Sequence, residues 1–230
     1  MNNMNDLQEY NSESIDPEIF WSEFRNITNV LESDLDEVQS QLTTNDSQFW
    51  RRTFCRAFFA YLEGQTHALK QLFLFYDWWT VNPDTEQKIR NQKHIQNKDG
   101  SAKVIQNYLP LVQNVQLLFK ALAVAANIEP IISNDDKSWD LLAKAVNVRN
   151  RIVHPKKSED LIISDDEIQL IRYVGGWYLS NASELLRKRA QLDIKKIKAM
   201  DKTAREKFGS SIQLPELDLL LDEFKEDDQQ

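Results

Sequence analysis

Cysteine is almost absent: Cys55 stands alone in 230 residues. A disulfide within the chain is therefore impossible, a zinc cluster built on thiolates is not expected, and a reducing cytoplasm suits this usage. Histidine is scarce too. His67, His94 and His154 are the whole supply, and none has metal-ligand spacing from a cysteine or another histidine. There is no glycine-rich phosphate loop and no G-x-S-x-G, and the scattered carboxylates show no pairing suited to acid–base catalysis. Neither a metal nor an organic cofactor is expected. Five glycines and six prolines leave long stretches free of both, which favours helices over a β-sandwich. Uncharged apolar runs of about eighteen residues, the length a membrane-spanning helix needs, do not occur. The first residues, rich in Asn and acids, lack the basic and apolar regions of a secretory leader, so none is expected.

What is present suffices for one sizeable core, at 41% hydrophobic residues. The net charge of −8 is unevenly spread. Residues 1–41 carry ten acids against Arg25 alone, a net of −9, and residues 214–230 carry seven acids against Lys225, a net of −6. The middle of the chain is left at +7. A basic body of this kind meets a polyanion locally, while the overall negative charge removes long-range steering. The acidic ends read either as solvated, solubilising segments or as a screen over the basic body. The expected organisation is a disordered acidic tail over 1–14, one helical domain over 15–209, and an acidic segment with a short helix over 210–230.

Helix signals follow in order. Asp16-Pro17-Glu18 is a helix start, with a capping residue and then proline at the first position. Phe20, Phe24, Ile27, Leu31, Leu35, Val38 and Leu42 recur at steps of three and four, which predicts an amphipathic helix. Asp46 opens a second helix towards Trp79, crowded with aromatics from Phe49 and Trp50 onwards. At helical spacing such a row reads as core, with base stacking as the alternative. Residues 82–100 read as a polar connection with a possible short helix and a turn at Asp99-Gly100. Lys88, Arg90, Lys93, His94 and Lys98 make this stretch either a solvated link or a loop over a basic cleft. A further helix is expected from residue 101 to residue 127, kinked or split by Pro110. Ser164-Asp165-Asp166-Glu167 has the form of a capping box for a last helix. Within it, Gly175-Gly176 signals a kink or a close backbone approach, inside one subunit or at a dimer seam. Residues 187–207 hold nine bases and three acids, a solvated basic face or an RNA footprint.

The stretch 139–157 organises the rest. Trp139, Leu142, Val146, Arg149 and Val153 form one helical row, with Leu141, Ala145, Val148 and Ile152 beside it. Two adjacent apolar rows predict a central helix, so Arg149 is an anomaly, a permanent charge where burial is expected. Asn150 and His154 lie four apart on the opposite side, and His154 precedes Pro155, which disfavours helical geometry at the histidine. An imidazole moves protons near neutral pH and a guanidinium braces phosphorane oxygens, so this set suits phosphodiester chemistry. Arg151, Lys156 and Lys157 add fixed positive charge as candidate substrate contacts. They read equally as bases complementing a helix C-terminus. Glu63, on a polar row with Arg56, His67 and Lys70, is a candidate partner orienting Arg149, or else simply pairs with His67 along its own helix.

Arg149-Asn150-Arg151-Ile152-Val153-His154 matches R-N-x-x-x-H and resembles the signature of the HEPN superfamily. The Trp-led helix before it, the His-Pro after it and the long helix that follows are similar too. The resemblance implies an all-α, up-and-down bundle of long antiparallel helices, commonly a homodimer whose two motifs meet in one cleft. It implies a metal-independent endoribonuclease of toxin–antitoxin or phage-defence systems, with Arg149 and His154 as the catalytic pair and Asn150 as the orienting residue. RNA, and an antitoxin or defence protein, would then be partners. HEPN toxins silenced by nucleotidyl transfer carry Tyr two residues after the His, where Lys156 stands here, so that form of control is not expected. Other members keep the fold without activity. The alternative is thus a catalytically silent module that binds RNA or a protein, with Arg149 as an ion-paired structural residue.

Overall fold

Pro17 supplies a backbone already set for the first helical turn, and from it α1 runs over Pro17–Thr44. Residues 45–47 turn the chain, and α2 follows over Gln48–Phe75. In the computed structural model, residues 17–75, 83–96, 99–129 and 137–208 are described. So short a link forces α1 and α2 to lie antiparallel. Phe20, near the start of α1, stacks on Phe75, at the end of α2, with ring centroids 4.2 Å apart. Midway, Leu31 packs against the bare backbone of Gly64, where a Cβ would come within 2.3 Å of Leu31 Cδ1. The expected start of α1 holds, and so does its apolar row except at Ile27, which is 49% exposed while Thr28 beside it is buried. The continuation of α2 to Trp79 lies outside the described residues, as do the expected tail over 1–14 and the segment over 210–230.

α3, Pro83–Ile89, leads into a hairpin of β1, Gln92–Gln96, and β2, Ala102–Gln106, paired antiparallel with His94 opposite Val104. Asn91, with φ of 54°, starts the hairpin and its carbonyl accepts the Asn107 N–H at 2.7 Å. Gly100, with φ of 84°, closes the other end beside Asp99, whose carboxylate accepts the Ser101 N–H and Oγ–H. A helix was expected from residue 101, and the structure corrects this. Val104 and Ile105 are β-branched and sit after a tight turn, so they extend rather than coil. Proline disfavours helical geometry in the residue before it, so α4 begins immediately after Pro110 and spans Leu111–Ala125. Pro110 therefore starts this helix instead of kinking it.

α5, Lys137–Val153, carries the motif, and a single 3-10 turn over Ser158–Leu161 leads to α6, Asp165–Phe208. At about 1.5 Å per residue, α6 is roughly 66 Å long. Its start is the anticipated capping box: Glu167 N–H donates to Ser164 Oγ at 3.2 Å, and Ser164 N–H donates to Glu167 Oε2 at 3.0 Å. Apart from the hairpin, the described residues make an all-α fold.

The most enclosed helix is α2 rather than α5. α2 packs against α1, α4, α5 and α6, and its buried residues go most of the way round, from Phe54, Phe58 and Phe59 to Leu69 and Phe73. α5 buries Trp139, Leu142, Ala145, Val148 and Ile152 but leaves Asp140, Lys144, Asn147 and Asn150 in solvent. One polar flank is enough to place it at the side of the bundle. Gly175 makes the close approach its sequence signalled: a Cβ there would meet Phe58 Cε2 at 2.8 Å, while Gly176 faces open space.

Candidate functional site

By the step of about 100° per residue along a helix, Arg149 projects between Ala145 and Leu142, both fully buried. Its guanidinium escapes because it lies in the last turns of α5 and reaches across to α2. There Arg149 Nη2 donates to Glu63 Oε1 at 2.9 Å, and Nη1 donates to Asn150 Oδ1 at 3.2 Å. The side chains of Arg149 and Glu63 remain 33% and 42% exposed, so the pair sits at a wet edge rather than in the core. Glu63 is thus in hydrogen-bond contact with Arg149, in the position its polar row suggested.

α5 ends at Val153, and the His154 N–H closes the last turn on the Asn150 carbonyl at 3.0 Å. The His154 side chain is exposed and has no hydrogen-bond partner among the described residues. The Asp160 carboxylate fixes the turn that follows, accepting the N–H of Lys156 at 2.8 Å and of Lys157 at 3.2 Å. These two bonds, the Lys156 one foremost, hold the Asp160 carboxyl below its ordinary range. Both lysine side chains point into solvent as exposed residues. Arg151 belongs to a different network. Its Nη2 donates to both carboxylate oxygens of Glu167 at 2.9 Å and to the Ile162 carbonyl at 3.0 Å, tying the motif helix to the start of α6. So Arg149, Asn150 and Glu63 are joined directly, His154, Lys156 and Lys157 follow as an ordered exposed turn, and Arg151 braces the frame.

Two residues that sequence reasoning passed over hold that turn in place. Arg52 Nη1 donates to the Leu161 carbonyl at 3.0 Å, and Arg51 Nη1 to the Ile163 carbonyl at 2.9 Å. Gln48 binds Ile163 through both its carbonyl and its N–H, at 2.9 and 2.8 Å. Arg51 also bridges Asp46 and Asp165. A signal was present: paired arginines in the first turn of a helix oppose its dipole, and such a placement asks for a partner elsewhere in the fold. Contacts from Glu63 to Arg52 to Gln48 meet Arg149, Leu161 and Ile163 in turn, so α5 and its following turn run antiparallel down α2.

Beneath the site Cys55 is fully buried. Burial pushes its thiol up to about 12, against the pull of Arg56, Arg149 and Arg151 nearby, so it is not a nucleophile at neutral pH. Among the described residues no three His, Cys, Asp or Glu side chains gather as a metal site, and no helix is long and apolar enough to cross a membrane. The chain matches no known family model, no curated protein and no solved structure.

Proposed function

We propose that the chain is a metal-independent endoribonuclease of HEPN type that acts as a homodimer, in the manner of a toxin or phage-defence effector. The observation that carries this reading is Arg149: a guanidinium rooted in the buried arc of α5 and held at the surface by Glu63 and Asn150, five residues before a histidine that has no hydrogen-bond partner among the described residues. Glu63 sets the direction of the guanidinium and leaves part of it open to a phosphate. In the reaction, His154 takes the proton from a ribose 2′-OH, whose oxygen attacks the adjacent phosphorus in line. Arg149 stabilises the charge gathering on the equatorial oxygens, and the leaving 5′-oxygen takes its proton from a histidine imidazolium, that of His154 in one subunit or the other. The products are a 2′,3′-cyclic phosphate and a 5′-hydroxyl. Lys156 and Lys157, exposed on the turn that Asp160 orders, are placed to hold flanking phosphates. Val153, 42% exposed, and Ile162, 55% exposed, supply apolar surface beside the motif of the kind a second subunit covers.

One observation favours the second reading, a silent binding module: the Glu63 carboxylate already neutralises Arg149. Cleavage assays with a chelator present separate the two. The nuclease cuts single-stranded RNA, and Arg149→Ala or His154→Ala each lowers the rate by about 10²-fold or more while the protein stays folded. Cutting that persists in both variants overturns the proposal.

A further inference from the structure

The hairpin does not pack. Apart from Gln92 and Ile105, every residue of β1 and β2 is exposed, although a two-stranded ribbon alone in water is only marginally stable. It is held at its root instead. Lys70 donates to Asn91 Oδ1 at 3.0 Å, and Ile89, 1% exposed, plugs α3 into the core. Lys70 stands seven residues beyond Glu63, two helical turns, so the hairpin is rooted on the side of α2 that meets Arg149, roughly 10 Å further along. Exposed His67 lies between the two.

Strand register sets the surface. Lys93 and Lys103 lie diagonally on one face, their backbones about 7–8 Å apart, with Ile95 and Ile105 on the other diagonal. His94 and Val104 pair on the reverse face, so each of these apolar residues stands directly opposite a basic one. Residues 88–106 carry five Lys and Arg against Asp99 alone, whose carboxylate is committed to Ser101. Of the two acids on α3, Glu86 is taken by Arg90 at 2.9 Å and Asp84 lies at the end opposite the hairpin. Lys93 and Lys103 make no ion pair among the described residues. Two residues beyond β2, Tyr108 is 74% exposed.

We infer that the hairpin and Tyr108 form an arm that holds single-stranded RNA, an inference that rests on the nuclease reading for the choice of nucleic acid. Lys93 and Lys103 take its phosphates, and the Tyr108 ring stacks on a base. Amines bind the backbone whatever the sequence, and an exposed ring stacks on any base that a duplex has not already enclosed. The ring is what selects a single strand. A lipid surface fits less well. The apolar residues are split between two faces and each is matched with a basic one, so no continuous apolar side exists to enter a bilayer. Strand addition by a second copy is disfavoured by the lysine within each strand.

The test uses the full chain and a fluorescent single-stranded 2′-O-methyl oligoribonucleotide, which has no 2′-hydroxyl to attack and so reports binding without cleavage. At about 0.7 for each lysine–phosphate contact, Lys93→Gln/Lys103→Gln lowers the slope of log affinity against log salt by about 1.4. Tyr108→Ala weakens binding by about 5- to 150-fold at unchanged slope, while Tyr108→Phe, which keeps the ring, binds as the natural chain does. All three positions are exposed, and circular dichroism establishes that the variants are folded. An unchanged slope in the double variant, or unchanged affinity in Tyr108→Ala, overturns the arm. So does equal binding of the same oligonucleotide as a duplex, or capture of the protein by anionic lipid vesicles and not by the oligonucleotide. Cleavage of unmodified RNA by the natural chain is scored in parallel. A chain that cuts RNA but binds the oligonucleotide without help from the hairpin loses this inference alone. One whose binding depends on Lys93, Lys103 and Tyr108, yet which never cuts, loses only the nuclease reading.

Discussion

Arg149 and Glu63 meet at 2.9 Å, but both are too solvated for the pair to stabilise the fold by more than about 1 kcal/mol. A structural role would demand a larger loss. Arg149→Ala is therefore expected to lower the unfolding free energy by less than that amount, measured by urea titration followed by circular dichroism, while cleavage falls steeply. A variant that unfolds or loses several times this stability would mark Arg149 as a structural ion pair. The same residue shows how far the site could be read in advance. Its place on an apolar row was visible from spacing alone, and so was a carboxylate on the facing polar row. The commitment of Arg151 to Glu167 was not, because it depends on where α6 begins relative to the 3-10 turn.

At the scale of elements, two adjacent glycines are expected to behave in opposite ways. An added methyl at Gly175 runs into the ring of Phe58, itself buried and packed on Phe54 and Phe59, so Gly175→Ala costs about 1–3 kcal/mol. Gly176 is exposed, helical and free of neighbours, so Gly176→Ala stabilises by about 0.5–1 kcal/mol. Thermal unfolding of the two variants tests both, and equal shifts would show that the close approach of α2 and α6 is looser than described.

A second element-scale prediction concerns Lys70, only 1% exposed, whose Nζ donates to Asn91 Oδ1 at 3.0 Å where the hairpin begins. Burial lowers its ammonium to about 8 from the ordinary 10.5. Between those values the unfolded chain holds a proton that the folded one has released, so stability rises with pH across the window and is flat below it. Relative to Lys70→Met, the natural chain should gain on the order of 3 kcal/mol from pH 8 to pH 10 in urea titrations. A constant difference would mean that the amine is better solvated than its packing indicates.

Elements with strong periodicity and punctuation were legible: α1 from its proline, α5 from its apolar rows, α6 from its capping box. The hairpin was not. Gln92-Lys93-His94-Ile95-Gln96 holds a single β-branched residue and looks like polar linker, and its partner strand shares apolar residues with the helix expected from residue 101. Only pairing across the Asp99-Gly100 turn distinguishes them, and pairing is not a local property. The central place of α2 was hidden for a similar reason, since enclosure depends on how many neighbours arrive.

For the whole molecule, the division between a packed body and a projecting α6 predicts uneven resistance to protease. Limited trypsin digestion should cut first within residues 195–203, at Lys195, Lys196, Lys198 or Lys202, well before Arg149 or Arg172. Mass spectrometry of the first fragments checks this, and early cutting inside α2 or α5 would contradict the packing described here.

The three-residue turn between α1 and α2 bears on how the chain comes off the ribosome. Those two helices are neighbours in sequence and find each other after little chain has been made, whereas α4, α5 and α6, which cover the remaining sides of α2, come much later. During synthesis a helical pair thus waits with Phe59, Leu62, Leu69 and Phe73 bare to water. That interval, more than any weakness of the finished protein, is when a chaperone would be needed.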